Sequence, residues 1–358
     1  MKMDYLQLVI NPGSTSTKVA IFINDKLIQE SNLKHDVHEL KKFPTIIDQL
    51  NFRKQIITNF LTECRYAPEN IDVFVGRGGM LKPLKHGGAY LITEEMLSDL
   101  KTCKYGSHAS NLGALIASDF AKPLNKPAYI VDPVCVDEID DLARVSGLKG
   151  IERTSVFHVL NQRAIARKHA KFLGKEYSDL NLIVCHLGGG ISVGLHKKGK
   201  VVDVNNALGG DGPFSSERAG TLPSFPLVDI CFSGIYSKEQ VKKMLVGNGG
   251  LVSYLGTSNG LEIDKRIKAG DEEAEFYFKA MAYRVVKEIG SLYFVASGKI
   301  DGVVITGGLA NNQIFINYLK DYIHPIIPIS IYPGEDEMRA LAEGTLRVLQ
   351  NQDITQVY

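Results

Sequence analysis

The chain repeats one order of elements in its two halves. Residues 5–30 read as an apolar strand, a polar turn of small residues, a second strand, an Asn-Asp turn and a third strand. Residues 181–204 read the same way, with Gly-Gly-Gly in the first turn and Lys-Gly in the second. A repeat of half the chain indicates two similar domains and not a solenoid. The repeat therefore predicts an α/β chain of two duplicated domains, which we expect to face each other across a ligand-binding cleft.

Strands and helices alternate in the rest of the chain. Short apolar runs that end in turn residues predict strands at 71–79, 127–134 and 300–306. Apolar residues at helical spacing predict helices at 157–174, 274–297 and 335–350. The last of these begins with acidic residues, which the helix dipole favours in a first turn.

Composition bounds the class of protein. A length of 358 residues fits two domains, and 44% hydrophobic residues are enough for ordinary globular cores. A formal net charge of +1 argues against nucleic acid as a partner. We see neither a signal peptide nor an apolar run of the roughly 20 residues that a membrane helix needs. Five scattered cysteines without a C-x-x-C pair predict no disulfide framework and no zinc site, and they favour a reduced cytoplasmic setting.

Three turns rich in small residues follow apolar strands, at Asn11–Ser14, Leu187–Gly190 and Gly307–Asn311. Any one of them is equally typical of an ordinary turn. Three together, two of them at equivalent places of a repeat, favour backbone N–H groups aimed at phosphate oxygens. The sequence therefore predicts a bound nucleotide.

Other nucleotide and metal motifs are absent from the sequence. It contains no G-x-x-x-x-G-K-[ST], no strand-linked G-x-G-x-x-G, no protein-kinase signature and no H-E-x-x-H. The pair of histidines in "HDVH" (35–38) is interpreted as a solvated loop or helix start, since no third metal ligand stands nearby.

The ordered motifs resemble the acetate and butyrate kinase family, of the superfamily that also holds sugar kinases, actin and heat-shock chaperones. "NPGSTSTK" (11–18), "CHLGGGIS" (185–192), "FSSERAGTLP" (214–223) and "ITGGLANN" (305–312) carry the resemblance, which runs from residue 6 to about 345. It implies two ribonuclease-H-like domains, residues 1–155 completed by 335–358 and residues 156–334. It also implies a homodimer.

The resemblance implies phosphoryl transfer from ATP to a short carboxylate, with Mg²⁺ as cofactor and an acyl phosphate as product. A carboxylate is ionised at pH 7, so no strong base is needed. The enzyme must instead hold two anions together and offset the charge of the transferring group. Arginines suit this because their planar donors match carboxylates and phosphates.

Most site residues follow from the matching motifs, whereas Arg77 and Asp132 are chosen because they lie at the ends of predicted strands. The catalytic candidates are Arg77, Asp132, His158 and Arg218. The nucleotide and phosphate candidates are Asn11, Gly13, Ser14, Lys18, His186, Gly188, Gly189, Gly190, Asp264, Arg266, Gly307, Gly308 and Asn311, and the metal candidates are Asn11 and Glu337. Surface ion pairs remain the alternative for the two catalytic arginines, a packed core histidine for His158, and a solvated helix face for the Asp264–Arg266 stretch.

Departures from the acetate kinase pattern bear on the substrate. This chain has "GRGG" (76–79) where acetate kinases have V-H-G-G, and Gly189 where they have Asn. By resemblance these differences point to a larger acyl chain, and to the butyrate and branched-chain fatty-acid kinases. The alternatives are a propionate or acetate kinase, a sugar kinase, which would need an Asp base, and an ATP-binding switch of the actin or chaperone type.

Overall fold

The repeated strands are all present in the computed structural model, which describes residues 4–358. In chain order the strands are β1 (Leu6–Pro12), β2 (Ser16–Ile23), β3 (Lys26–Lys34), β4 (Val73–Arg77), β5 (Ala89–Leu91), β6 (Ala128–Val131), β7 (Asn181–Leu187), β8 (Ile191–Lys197), β9 (Lys200–Val204), β10 (Gly302–Gly307) and β11 (Ile329–Pro333).

Helices connect and cover these strands. In chain order they are α1 (Val37–Leu40), α2 (Leu50–Glu63), α3 (Glu94–Lys101), α4 (Asn111–Ala121), α5 (Asp141–Arg144), α6 (Val159–Phe172), α7 (Ser224–Phe232), α8 (Lys238–Leu245), α9 (Leu251–Leu255), α10 (Gly260–Lys268), α11 (Glu272–Val295), α12 (Gln313–Ile323) and α13 (Glu337–Leu349).

Each half of the chain builds one sheet, and the two sheets share a five-stranded topology to which the first adds β5. The first sheet has the order β3-β2-β1-β4-β6-β5, and the second, from its other end, has β9-β8-β7-β10-β11. In each sheet the meander is antiparallel and the next two strands are parallel to its first strand. The predicted duplicated α/β fold is therefore confirmed.

Two units carry these sheets. The first comprises Met1–Val136 with Asp336–Tyr358, and the second comprises Asp137–Glu335. The sequence predicts a division after residue 155 instead. Residues 137–155 lie with the second unit because Glu138 pairs with Arg163 at 3.0 Å and Arg153 pairs with Asp203 at 3.0 Å.

Both sheets are buried by helices on apolar faces. In the first unit Leu8, Val9 and Ile10 of β1 are fully buried, and Leu341 of α13 is buried in the same unit. Helix α4 approaches β4 so closely that a Cβ on Gly76 would lie 2.3 Å from the Gly113 carbonyl oxygen. Only glycine permits this approach, and it fixes the strand end that carries Arg77.

The structure contains neither a disulfide nor a membrane-spanning helix within residues 4–358. All five cysteines are free thiols, and Cys185 is buried in the second unit. None of the helices within residues 4–358 combines the length and the apolar character that a membrane crossing requires.

Candidate functional site

A cavity of about 720 Å³ opens in the second unit between the turn after β7 and the start of α12. Two of the three predicted phosphate turns meet in it. Its lining residues are Gly188, Gly189, Ser216, Glu217, Ser258, Asn259, Gly260, Leu261, Asp264, Lys268, Gly308, Leu309, Asn311, Asn312, Gln313, Ile314 and Asn317. The volume lies in the range of small-ligand pockets.

Helix starts form one wall of this cavity. The Asn259 side chain accepts from the Leu261 and Glu262 amides at the start of α10, and the Asn312 side chain accepts from the Phe315 amide at the start of α12. Sequence reasoning missed both residues as site residues. The available signal was an Asn directly before an apolar helical pattern, which is typical of an N-cap.

The turn after β7 is braced from behind. The Gly188 amide donates to the Gly190 carbonyl at 3.0 Å, and the Ser215 hydroxyl donates to the Gly189 carbonyl at 2.5 Å. The Arg218 guanidinium lies against the same turn, since a Cβ on Gly190 would stand 2.1 Å from its Nη1 atom. Arg218 also donates to the Ala207 carbonyl at 2.5 Å. The structure thus brings the "SSER" segment onto the predicted phosphate turn.

Burial lowers the pKa of Arg218, although Glu217 beside it acts in the opposite direction. The guanidinium nevertheless stays charged, because an arginine pKa begins far above neutrality. Its charge is held in a partly desolvated position, where it acts more strongly on an anion than it would in water.

Two histidines stack beside this turn. The rings of His158 and His186 lie 3.7 Å apart between centroids and 7° from parallel. The Asn161 amide group lies 2.8 Å from His186 Nδ1, and Ser192 Oγ lies 2.9 Å from His158 Nδ1. His186 Nε2 lies 3.4 Å from a Glu335 oxygen. His158, proposed from resemblance as catalytic, is therefore a partly exposed neighbour of the phosphate turn and not a packed core residue.

Three other predicted residues have different surroundings. Asp264 lines the cavity and pairs with Lys268 at 2.7 Å. Arg266 does not line it, since its guanidinium donates to Asp271 at 2.7 Å and to the Leu255 carbonyl at 3.1 Å. Gly307 has a φ of 91° and packs against β7, where a Cβ would lie 2.3 Å from the Leu187 carbonyl oxygen. Arg266 and Gly307 thus hold elements together in this structure.

The turn after β1 lies in the first unit, and one buried arginine holds its carbonyl groups. The Arg53 Nη1 atom lies 2.7 Å from the Gly13 carbonyl oxygen and 3.0 Å from that of Ser16, and Nη2 lies 3.1 Å from that of Ser14. Gln49 accepts from the same guanidinium at 2.8 Å. Since these carbonyls face Arg53, their negative ends do not oppose an anion on the other side of the turn, as an anion cradle requires, while the Gly13 amide donates to the Ser16 carbonyl at 2.8 Å.

Sequence reasoning missed Arg53 because nothing marks it in helix α2. Burial lowers its pKa to about 10, so it remains a cation. His35, which the sequence predicts in a solvated loop or helix start, is instead buried behind this turn and bonds Thr17 at 2.8 Å. Burial and the nearby Arg53 lower the pKa of His35 to about 4, so the ring is neutral at pH 7.

Arg77 and Glu337 form an ion pair in the first unit. The Asn11 amide donates to the other carboxylate oxygen of Glu337 at 2.7 Å. Burial alone would raise the pKa of Glu337, but Arg77, the Asn11 hydrogen bond and Lys18 together lower it. Arg77, Asn11 and Glu337 are therefore brought together from three distant parts of the sequence.

The remaining candidates of the first unit lie at strand ends. Asp132 follows β6 with a φ of 41°, and its Oδ1 accepts from the Gly88 amide at 2.7 Å. A left-handed conformation at a non-glycine residue costs energy and is common at functional sites. Lys18 and Ser14 are exposed, and Lys18 stands opposite Asn11 in the β1–β2 register.

The carboxylate of Glu337 offers oxygen ligands for a metal ion, although the first unit has no complete set of protein ligands among its described residues. Residues 4–358 contain no cluster of three or more His, Cys, Asp or Glu side chains that could hold a metal ion. Mg²⁺ needs only one or two protein carboxylates when waters and phosphates fill its other positions. Glu337 has one hydrogen bond or ion-pair contact on each oxygen, so a lone pair remains on each.

Solved structures share this fold over nearly the whole chain. Acetate kinase from Porphyromonas gingivalis is 20% identical, with a TM-score of 0.76 over 96% of this chain and 100% of that one. Acetate kinase from Entamoeba histolytica is 18% identical, with a TM-score of 0.75 over 95% and 98%. A propionate kinase from Francisella tularensis is 18% identical, with a TM-score of 0.72 over 95% and 98%. At these identities the likeness establishes the fold.

The sequence itself carries the family. The profile of the acetokinase family matches residues 142–326, which is just over half of the chain and includes Gly188, Gly189, Arg218 and Gly308. The chain belongs to the acetokinase family of ATP-dependent carboxylate kinases.

Proposed function

We propose that this protein catalyses the reversible reaction ATP + butanoate ⇌ ADP + butanoyl phosphate. A bond forms between a carboxylate oxygen and the γ-phosphorus, and the bond from that phosphorus to the β,γ-bridging oxygen breaks. One observation carries the proposal: in the second unit, Gly188, Gly189 and Gly308 line a nucleotide-sized cavity next to Arg218.

Arg218 and His158 would act on the phosphoryl group. Arg218 lies against the phosphate turn, so its guanidinium would offset the charge that develops on the transferring oxygens. His158 would donate a hydrogen bond to the same group. We assign both roles by joining the family resemblance to these positions.

Arg77 would hold the substrate carboxylate. Its Nη1 already pairs with the carboxylate of Glu337, and among residues 4–358 no other hydrogen bond engages its guanidinium. The other N–H groups are thus available for a second carboxylate. Asp132 would take part beside it, because it directly follows Val131, which pairs with Arg77 in the β4–β6 register.

Glu337 and the Asn11 side-chain oxygen would hold Mg²⁺ in the first unit, and water and substrate oxygens would fill its other positions. When bound, the ion supplies positive charge that draws electrons from the phosphorus and neutralises the leaving phosphate. Glu337 is ionised for this purpose at neutral pH, since its pKa is lowered.

We propose butanoate as the substrate and not acetate because this chain departs from the acetate kinase pattern at Arg77 and Gly189. The test is an assay in which hydroxylamine traps acyl phosphate formed with acetate, propionate, butanoate, isobutanoate or isovalerate. We expect the highest kcat/KM for butanoate. A maximum for acetate or propionate, the substrates after which the structurally similar kinases are named, would replace butanoate as substrate.

An ATP-binding switch is the alternative from another class. It predicts slow ADP release that no carboxylate accelerates, whereas a kinase predicts stoichiometric acyl hydroxamate. Measuring ADP release with and without butanoate therefore separates the two functions.

A second copy of this chain would cover the exposed apolar face of α7. This helix buries none of its residues, and Phe225 and Phe232 are both 86% exposed. Ile235, just after the helix, is 72% exposed. Apolar faces of this kind mark interaction surfaces, so we propose a homodimer. Sedimentation should show a dimer that Phe225→Ser with Phe232→Ser converts to a monomer, and a monomeric parent protein would contradict it.

A further inference from the structure

A chain of hydrogen-bonded side chains, buried from Tyr177 as far as Ser192, runs to half-buried His158 behind the phosphate turn. The Tyr177 hydroxyl lies 2.7 Å from His196 Nδ1, and His196 Nε2 lies 2.9 Å from Gln162 Oε1. Gln162 Nε2 lies 2.8 Å from Ser192 Oγ, which lies 2.9 Å from His158 Nδ1. We call these five residues the relay.

The direction of the relay is fixed by groups that can only accept. Gln162 Nε2 also lies 3.1 Å from the Ser192 carbonyl oxygen. A carbonyl cannot donate, so the amide nitrogen of Gln162 must be at this end and its oxygen at the other. Gln162 Oε1 can then only accept, so His196 Nε2 must carry a hydrogen.

The hydrogen bond between His196 and Tyr177, at the far end of the relay, agrees with this direction. His196 is fully buried, and burial together with Arg163 lowers its pKa to about 3. A neutral ring with its hydrogen on Nε2 has a lone pair on Nδ1. That lone pair accepts from the Tyr177 hydroxyl.

The hydrogen-bond direction at His158 follows from the Ser192 hydroxyl. Its side chain is 0% exposed, and its oxygen accepts from Gln162. Within residues 4–358 the one acceptor in reach of its hydroxyl hydrogen is His158 Nδ1. A buried hydroxyl left without an acceptor costs free energy, so Ser192 donates and the hydrogen of neutral His158 lies on Nε2.

We propose that Gln162 and Ser192 are positioning residues that hold His158 as an Nε2–H hydrogen-bond donor. This proposal rests on the proposed function for the role of His158 in phosphoryl transfer. His158 directly precedes α6 and Gln162 follows one turn later, so one helix turn presents both side chains to Ser192. Aligned donors also polarise one another, which strengthens the last donor in the relay.

The direct test is the tautomer of His158 in protein labelled with ¹⁵N-histidine. Proton–nitrogen correlation spectra at pH 8 should show hydrogen on Nε2 in the parent protein and in Ser192→Thr, which keeps the hydroxyl. Ser192→Ala should give a mixture of tautomers. Ser330→Ala, which removes a serine hydroxyl from β11 of the same sheet, is the matched control and should change nothing. An unchanged His158 tautomer in folded Ser192→Ala overturns the proposal.

Kinetics supply a second readout. Ser192→Ala should lower kcat about 10-fold or more with little change in the KM for ATP, since a positioned proton donor is worth about 10²-fold or more. In a His158→Ala background the same change should cost almost nothing, because Ser192 acts through His158. Fully additive losses would overturn the proposal.

Two further variants guard against misfolding. Gln162→Met removes both polar ends of that side chain, and Tyr177→Phe removes only the outermost donor. We expect a tautomer mixture in the first and a smaller change of the same kind in the second; an unchanged tautomer in both would contradict the relay. The spectra do not depend on the substrate, so the expected tautomers in a protein without carboxylate kinase activity would refute the proposed function and leave the relay intact.

Discussion

The guanidinium of buried Arg53 lies 2.7 Å from the carbonyl oxygen of half-buried Gly13 in the first unit. This contact orients the first phosphate turn, because it holds the Gly13 carbonyl group toward Arg53.

Arg53→Lys should loosen this turn. A lysine has one nitrogen and cannot reach the Gly13, Ser14 and Ser16 carbonyls together, so at least one of these part-buried acceptors loses its arginine donor, at about 1 kcal/mol. We expect a lower melting temperature, faster amide exchange at 13–16 and a lower kcat/KM. Arg65→Lys is the control, since the Arg65 side chain makes no hydrogen bond within residues 4–358. Unchanged amide exchange at 13–16 and unchanged kcat/KM in folded Arg53→Lys would refute the role of Arg53 in holding this turn.

Gly189→Val should weaken ATP binding without unfolding the protein. A Cβ at this position meets only the Glu217 carboxylate, at 3.6 Å, and it projects where the turn lines the cavity. We expect the Kd for ATP by calorimetry to rise about 10-fold or more, or about 1.4 kcal/mol. Gly147→Val is the control, because a Cβ on Gly147 meets nothing within 4 Å and lies outside the cavity lining. Unchanged ATP affinity would remove this turn from the nucleotide site.

Arg77→Gln should raise the KM for butanoate about 10-fold or more while changing kcat less. The change removes a ground-state partner of the carboxylate, which appears in KM. Arg77→Lys should recover part of the affinity, because it keeps the charge but loses the planar donors. Steady-state kinetics with a melting temperature for each variant measure this, and a normal KM in folded Arg77→Gln would assign the residue to structure alone.

Arg218→Ala should lower kcat far more than it raises the KM for ATP. An arginine that meets the transferring phosphoryl group is worth about 10³-fold or more in kcat. The variant also leaves the Ala207 carbonyl without its donor, so Arg218→Lys and thermal melting serve as controls for local damage. A kcat within a few-fold of the parent would exclude Arg218 from the chemistry.

Acid should destabilise both units through buried histidines. His35 and His196 have pKa values lowered to about 4 and about 3 from the ordinary 6.5. Between pH 6.5 and these values only the unfolded chain binds the proton, so stability is lost as pH falls. Each histidine should contribute a slope of up to about 1.4 kcal/mol per pH unit. Urea unfolding between pH 7.5 and 5 should show a smaller slope in His35→Gln and His196→Gln than in His38→Gln, where an exposed histidine is replaced. Equal slopes would refute this origin.

Local pattern was sufficient for the fold and for the glycine turns. The two meanders were predicted because period-two strands and small-residue turns are encoded within a few residues of each other. Gly188, Gly189 and Gly308 were predicted for the same reason, and the structure places all three on one cavity. The family resemblance added the order of the motifs, which directed attention to Arg218 beside the second turn.

Local sequence patterns did not predict which partners the buried polar groups contact. Arg53 reaches Gly13 across 40 positions and His158 reaches Ser192 across 34, so their roles exist only once a helix has packed on a sheet. Arg266 shows the converse, since "DKR" matches a nucleotide stretch but its guanidinium turns to Asp271 and Leu255. Residues near in sequence set backbone conformation, and therefore the sequence alone determined the strands and turns. A buried donor takes whichever acceptor the packed elements bring near, and therefore only the tertiary structure decided the brace at Arg53 and the relay at His158.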